Sequence, residues 1–238
     1  MPASTLTKHR ATVRSTVVLK AIMAITGLVM IGFLLAHMAG NLWVFAGREE
    51  FNDYAHHLRT LGEPMLPHKV LLWALRIGLL LSVVLHVYSA ITLWKRAHVA
   101  SARKGGTRYH TSKGQRGVQR SYASFTMRYG GIVITLFVIY HLLHFTGNQI
   151  HPGGASSSPY DRVVNGFEIW WVWLSYVIAM VAIGLHLRHG LWAAAASLGA
   201  NTSPRRRRQL NTGAITIAVV ITVGFLLPPT LILFGGIS

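Results

Sequence analysis

The 238-residue chain contains no cysteine. That removes disulfides, cysteine-ligated zinc, iron–sulfur clusters held by this chain and covalent c-type haem attachment. Acidic residues are nearly as scarce, six against 23 Lys and Arg, and charged residues of all kinds make up only 12%. A soluble domain carries about 25%. A net charge of +17 suggests nucleic acid as a partner, but the cations lie in the connections between apolar runs, where membrane topology places them, so no nucleic-acid partner is expected. Over half of the residues are hydrophobic. The composition is that of a membrane protein.

A bilayer-crossing helix needs about 20 mostly apolar residues. Five runs qualify, with approximate spans 16–47, 69–96, 127–149, 168–198 and 211–236. The expected fold is all-α, an integral membrane bundle forming a single domain over residues 1–238, with residues 97–126 as a basic cytoplasmic loop. The apolar run after the basic N-terminus is too long for a signal-peptide core and is expected to be retained as the first span. Pro228 and Pro229 fall near the end of the fifth span, where a kink is the simple expectation. The stretch REEFNDYAHHLRTLGEP between the first two spans has room for a short surface helix.

The distribution of charge orients the bundle. Basic residues gather before the first span (Lys8, Arg10, Arg14, Lys20), between the second and third (Lys95 to Arg128) and before the fifth (Arg205 to Arg208). All six acids (Glu49, Glu50, Asp53, Glu63, Asp161, Glu168) lie in the other two connections. The positive-inside rule then puts the N-terminus in the cytoplasm and the C-terminus outside, in a cell's inner (cytoplasmic) membrane.

Six histidines fall within or at the ends of spans: His37, His86, His141, His144, His186 and His189. Imidazole in a bilayer is costly and marks function by default, and it is the common axial ligand of haem iron. With a rise of about 1.5 Å per residue, His37 lies roughly 25 Å from Lys20 and His141 roughly 20 Å from Arg128, both in the outer half. By the same measure His86 is roughly 13 Å before Lys95, and His186 about 25 Å from Ile169, both in the inner half. Two histidines at one depth on facing helices would clamp one haem. In the third span His144 stands about 4.5 Å from His141 along the axis, on an adjacent face, and depth alone slightly favours His144. The plain alternative is that such histidines are interhelical hydrogen-bonding contacts. A proton-relay transporter usually adds a buried carboxylate, and no span has one. Spans one and three also share a glycine ten residues before a histidine, Gly27 to His37 and Gly131 to His141.

In order and spacing, TGLVMIGFLLAHMAGNLWVFAG around His37, FNDYAHHLRTLG, VVLHVYSA around His86, YHLLHF around His141, and LHLRHGLWAAAASLG with SPRRRR around His186 resemble one family. It is the single-chain di-haem cytochrome b membrane anchor of succinate dehydrogenase or fumarate reductase, respiratory complex II. The resemblance implies five helices with two haem b groups between them. It assigns His37 and His141 to the outer haem and His86 and His186 to the inner, choosing His141 over His144 by the glycine spacing. It implies a flavoprotein and an iron–sulfur subunit on the cytoplasmic face, electron transfer to quinone, with menaquinone the expected species, and no succinate chemistry on this chain itself. Glu50, Asn52, Tyr54 and His57 are expected quinone contacts, with an inner site near Ser15, Lys20 or His189 equally open. Arg14, Arg76, Arg128 and Arg188 are expected to pair with haem propionates. Other readings are the cytochrome b anchor of a different membrane dehydrogenase or hydrogenase, and a haem-free histidine-containing transporter.

Overall fold

The computed structural model describes residues 15–102 and 115–237. Seven α-helices follow in order: α1 (Thr16–Leu42), α2 (Arg48–Thr60), α3 (Val70–Ala102), α4 (Gln115–His141), α5 (Pro159–Phe167), α6 (Trp170–Ser197) and α7 (Pro204–Leu233). Among the described residues there is no strand. Helices α1, α3, α4, α6 and α7 are long and apolar enough to cross a bilayer. The chain is a multi-pass membrane protein.

Each helix boundary has a local cause. Ser15 caps α1, its hydroxyl accepting the Val18 N–H at 3.1 Å. Ser158 and Ser203 cap α5 and α7 in the same way, each followed by a proline whose missing N–H is no loss at that position. After α1 a 3₁₀ turn, Trp43–Ala46, leads to Gly47, whose φ of 109° lets the chain swing into surface helix α2. That is the helix expected in the first outer connection.

The structure differs from expectation in three places. Helix α3 continues to Ala102 and α4 begins at Gln115, so much of the stretch read as loop 97–126 is helical. Residues 103–114, like Lys8, Arg10 and Arg14, lie outside the described residues. Helix α7 starts at Pro204 instead of 211, which makes Arg205 to Arg208 its exposed first turn. Hydropathy marks where a helix meets lipid, while backbone hydrogen bonding carries the helix on into water. The third discrepancy is that α4 gives way to a single π-helical turn, Leu142–Thr146, before the expected end at 149. Such turns recur at functional sites. Pro228 and Pro229 are buried within α7, which continues past them.

Helix α1 packs along α3, α6 and α7, α6 packs along α7 and α4, and α3 rests mainly on α1. Lipid is as apolar as leucine, so close packing must hold helices together. Small residues provide it: Ala179 and Ala218 are buried at the α6–α7 seam, and a side chain at Gly184 would meet the Thr222 hydroxyl at 2.5 Å. A second core, with Val44, Phe51, Tyr160, Phe167 and Tyr176, lies under α2 and α5 at the outer end. Asn52 fastens these two short helices, donating to the Ser158 hydroxyl and accepting the Tyr160 N–H at 3.1 Å. Arg48 pairs with Asp161 and covers the Tyr160 ring.

Candidate functional site

The four-helix set α1, α3, α4, α6 places its histidines across its diagonals. His37 on α1 faces His141 at the end of α4, with ring centres 5.8 Å apart. His86 on α3 faces His186 on α6 at 6.3 Å. Two imidazoles holding one iron from opposite sides would have ring centres about 6.2 Å apart, from a metal–nitrogen bond of about 2.0 Å and roughly 1.1 Å more to each ring centre. The His86–His186 pair, at 6.3 Å, has that span, and the His37–His141 pair, at 5.8 Å, is shorter than it. Among the described residues no group of three or more His, Asp or Glu side chains is placed to hold a bare ion. The histidines come in twos.

At the inner pair, the Thr26 hydroxyl is committed to the Ile22 carbonyl at 2.7 Å. His86 Nδ1–H therefore donates to the Met23 carbonyl at 3.0 Å, with the Thr26 oxygen a second acceptor at 3.3 Å. This leaves His86 Nε2 as the free, basic nitrogen, the arrangement common to metal-ligating histidines. His186 Nδ1 is buried without a partner. A buried unsatisfied nitrogen in a native fold asks for a ligand or another cause. Gly27 lies against His86, where a Cβ would be 3.4 Å from the ring, and Gly131 lies by His186 at 3.9 Å. The shared spacing of spans one and three now has a geometric content. Each helix keeps a glycine at the inner pair and, about 15 Å further out, a histidine at the outer pair.

The outer pair is enclosed by rings. Phe33 stacks on His37 at 5.2 Å, Phe225 lies 5.6 Å from it, and Phe137 and Phe145 flank His141. The Tyr176 hydroxyl on α6 sits between two histidines, 3.2 Å from Nδ1 of His141 and 3.2 Å from Nδ1 of His144. His144, in the π turn, is 3% exposed and stacks on Phe145. Its ring packs on Gly166 of α5, where a Cβ would be 3.1 Å from Nε2. The structure thus brings His37 to His141 and seats His144 behind Tyr176.

The remaining predicted residues are dispersed. On α2, Glu50 and His57 are exposed on one face, whereas Asn52 is on the opposite face, holding α5. Tyr54 stacks on Trp43 at 5.9 Å and packs its hydroxyl on Gly40. At the inner side Ser15 is a helix cap and Lys20 is exposed. His189 Nδ1 faces the Leu185 carbonyl at 3.1 Å. Among the arginines, Arg76 lies over Trp73 and Arg128 over Trp94, while Arg188 is exposed and Arg14 is outside the described residues.

Sequence reasoning missed Tyr176, Thr26 and Arg162. Tyr176 precedes His186 by ten residues, so the depth arithmetic that sorted the histidines also puts a phenol at the outer level. Arg162 on α5 donates to the Phe145 carbonyl at 3.2 Å and keeps a buried Nε without a partner. Burial, and then the charge of Arg59, lowers its guanidinium from the ordinary value. Neither arginine has a carboxylate partner among the described residues.

Comparison with known proteins finds one curated relative. The chain is 23% identical over 186 residues to the succinate dehydrogenase cytochrome b558 subunit of Bacillus subtilis, covering 78% of this chain and 81% of that protein. No family model matches, and no solved structure matches. The chain, with five apolar helices long enough to cross a membrane, is thus similar over most of its length to a succinate dehydrogenase cytochrome b subunit.

Proposed function

We propose that the chain is the membrane-anchor cytochrome b subunit of a succinate:quinone oxidoreductase and carries electrons between an iron–sulfur subunit and quinone through two bis-histidine b haems. The observation that carries this reading is that histidines from four spans face one another in two pairs, with ring centres 5.8 and 6.3 Å apart. The name of the Bacillus subtilis relative, a cytochrome b558 subunit of succinate dehydrogenase, supports both the cofactor class and the complex.

In this reading His86 and His186 hold the inner haem, and His37 and His141 the outer. Bound haem supplies reversible one-electron transfer at each level. The protein's part is to fix the imidazoles, hydrogen-bond the Nδ1 of His86 and of His141, and exclude water. The Met23 carbonyl does this for His86, and Tyr176 with the phenylalanine enclosure does it for His141. Arg162, with Arg59, is an outer cation suited to a haem propionate, in addition to Arg14, Arg76, Arg128 and Arg188. Electrons leave to quinone, with menaquinone as the species. Of the outer-side quinone contacts Glu50, Asn52, Tyr54 and His57, the exposed face of α2 offers Glu50 and His57, while Asn52 is engaged by Ser158 and Tyr160 and Tyr54 packs on Trp43 and Gly40.

The flavoprotein and iron–sulfur subunits dock on the cytoplasmic face, where the exposed Arg205 to Arg208 turn offers a complementary basic surface. The positive-inside rule orients the chain in the inner membrane with its N-terminus in the cytoplasm and its C-terminus outside. The test is a reduced-minus-oxidised spectrum of the purified chain with haem quantified by pyridine haemochrome. The result expected is a bis-histidine b-type spectrum with two haems per chain. A chain without haem overturns the proposal. Co-purification of the soluble subunits with succinate–quinone activity separates this reading from an anchor of another dehydrogenase.

A further inference from the structure

The Tyr176 hydroxyl has one proton and two ring nitrogens within 3.2 Å. Only one direction of bonding is compatible with His141 binding iron through Nε2. His141 must then carry its proton on Nδ1 and donate it to the Tyr176 oxygen. The phenolic proton is left for Nδ1 of His144, so His144 is an acceptor there and carries its own proton on Nε2. Hydroxyl donors and acceptors in such a chain polarise one another, and a phenol that donates is a better acceptor. A stronger acceptor on Nδ1–H increases imidazole basicity and favours the ferric form of the metal it binds. The inner pair has no such chain, since His86 Nδ1 meets a backbone carbonyl and His186 Nδ1 has no partner.

We propose that Tyr176 and His144 are positioning residues of the outer haem. Together they form a buried relay, His141 Nδ1–H to Tyr176 O–H to His144 Nδ1, that holds the ligand ring and lowers the reduction potential of that haem alone. The π turn at Leu142–Thr146 begins one residue after His141 and carries His144, and both histidines address the same hydroxyl while His141 faces His37. Gly166 completes the arrangement, because any side chain there would crowd His144 Nε2.

This inference rests on the bis-histidine reading above, and the experiment separates the two. Redox titration of the whole complex, followed optically, resolves two haem potentials, with the inner haem as internal control. Tyr176→Phe is expected to keep two haems and move the outer haem's ferric–ferrous equilibrium about tenfold towards ferrous, about 59 mV upward for one electron. His144→Leu moves it the same way by less. The double variant equals Tyr176→Phe, because the relay has then already been cut. Should Tyr176→Phe lose the outer haem, His144 variants still decide the matter. His144→Asn, which presents an oxygen at the Nδ1 position, is expected to restore the wild-type potential that His144→Leu shifts. Equal potentials for His144→Asn and His144→Leu, or an unmoved outer potential in a two-haem Tyr176→Phe complex, overturn the relay while leaving the two haems in place. A wild-type chain without haem would instead overturn the reading beneath it.

Discussion

The inner and outer histidine pairs use the same side chain at similar separations and are built in opposite ways. The inner pair is supported by backbone and by small residues: a carbonyl at Met23, a threonine, and glycines at 27 and 131. The outer pair is supported by large side chains, four phenylalanine rings and a shared phenol, under the cover of α2 and α5. A carbonyl and a glycine give a ligand room and a fixed hydrogen bond with little scope for adjustment. A phenol with a second histidine behind it adds a polarisable bond. In the proposed reading, what stands behind the imidazole would set one ligand chemistry to two potentials in a single bundle.

The largest expected effects break the pairs themselves. His86→Ala and His186→Ala should each reduce haem from two to one per chain and remove the same spectral component. His37→Ala and His141→Ala should remove the other. Removal of the outer component by His144→Ala, with His141→Ala leaving it intact, would reverse the third-span assignment.

Gly27→Leu sharpens the comparison next. A branched side chain at a position already 3.4 Å from the His86 ring at its Cβ should abolish the inner haem and spare the outer. Haem loss from the outer pair alone would show that this helix face has been misplaced.

Smaller effects probe the cover over the outer pair. Asn52→Ala removes two side-chain links between α2 and α5 and should lower stability by about 1–3 kcal/mol, seen as a lower melting temperature in detergent. Haem loss on heating should then start with the outer component. Asp161→Asn should cost well under about 1 kcal/mol, because its partner Arg48 is 58% exposed and surface ion pairs contribute little. A large loss would mean that the pair anchors the outer helices more than its exposure implies.

Much of this was legible in the linear chain. The five spans follow from apolar length, and the depth pairing of His86 with His186, and of His37 with either His141 or His144, follows from a constant rise per residue. Helix ends were less legible, as α3, α4 and α7 show, because a basic helix turn in water has no hydropathic signature. The roles of Asn52 and Tyr54 were not legible either. Helical periodicity puts Glu50 and His57 on one face of α2 and Asn52 on the other, but nothing local says that α5 comes to rest against the second face.

What the sequence determined by itself was therefore everything that depends on the bilayer as a one-dimensional ruler: the number of spans, the side on which charges accumulate, and the depth of each histidine. What only tertiary structure decided was rotation about each helix axis. Rotation turns His141 towards His37, puts His144 behind Tyr176, and sets Gly27 and Gly131 against the inner rings. The physical reason is that depth is additive along a chain, one residue at a time. Facing is settled between helices, by packing contacts that lie far apart in sequence and, for His141 and His144, by a single π turn that changes the local helical period.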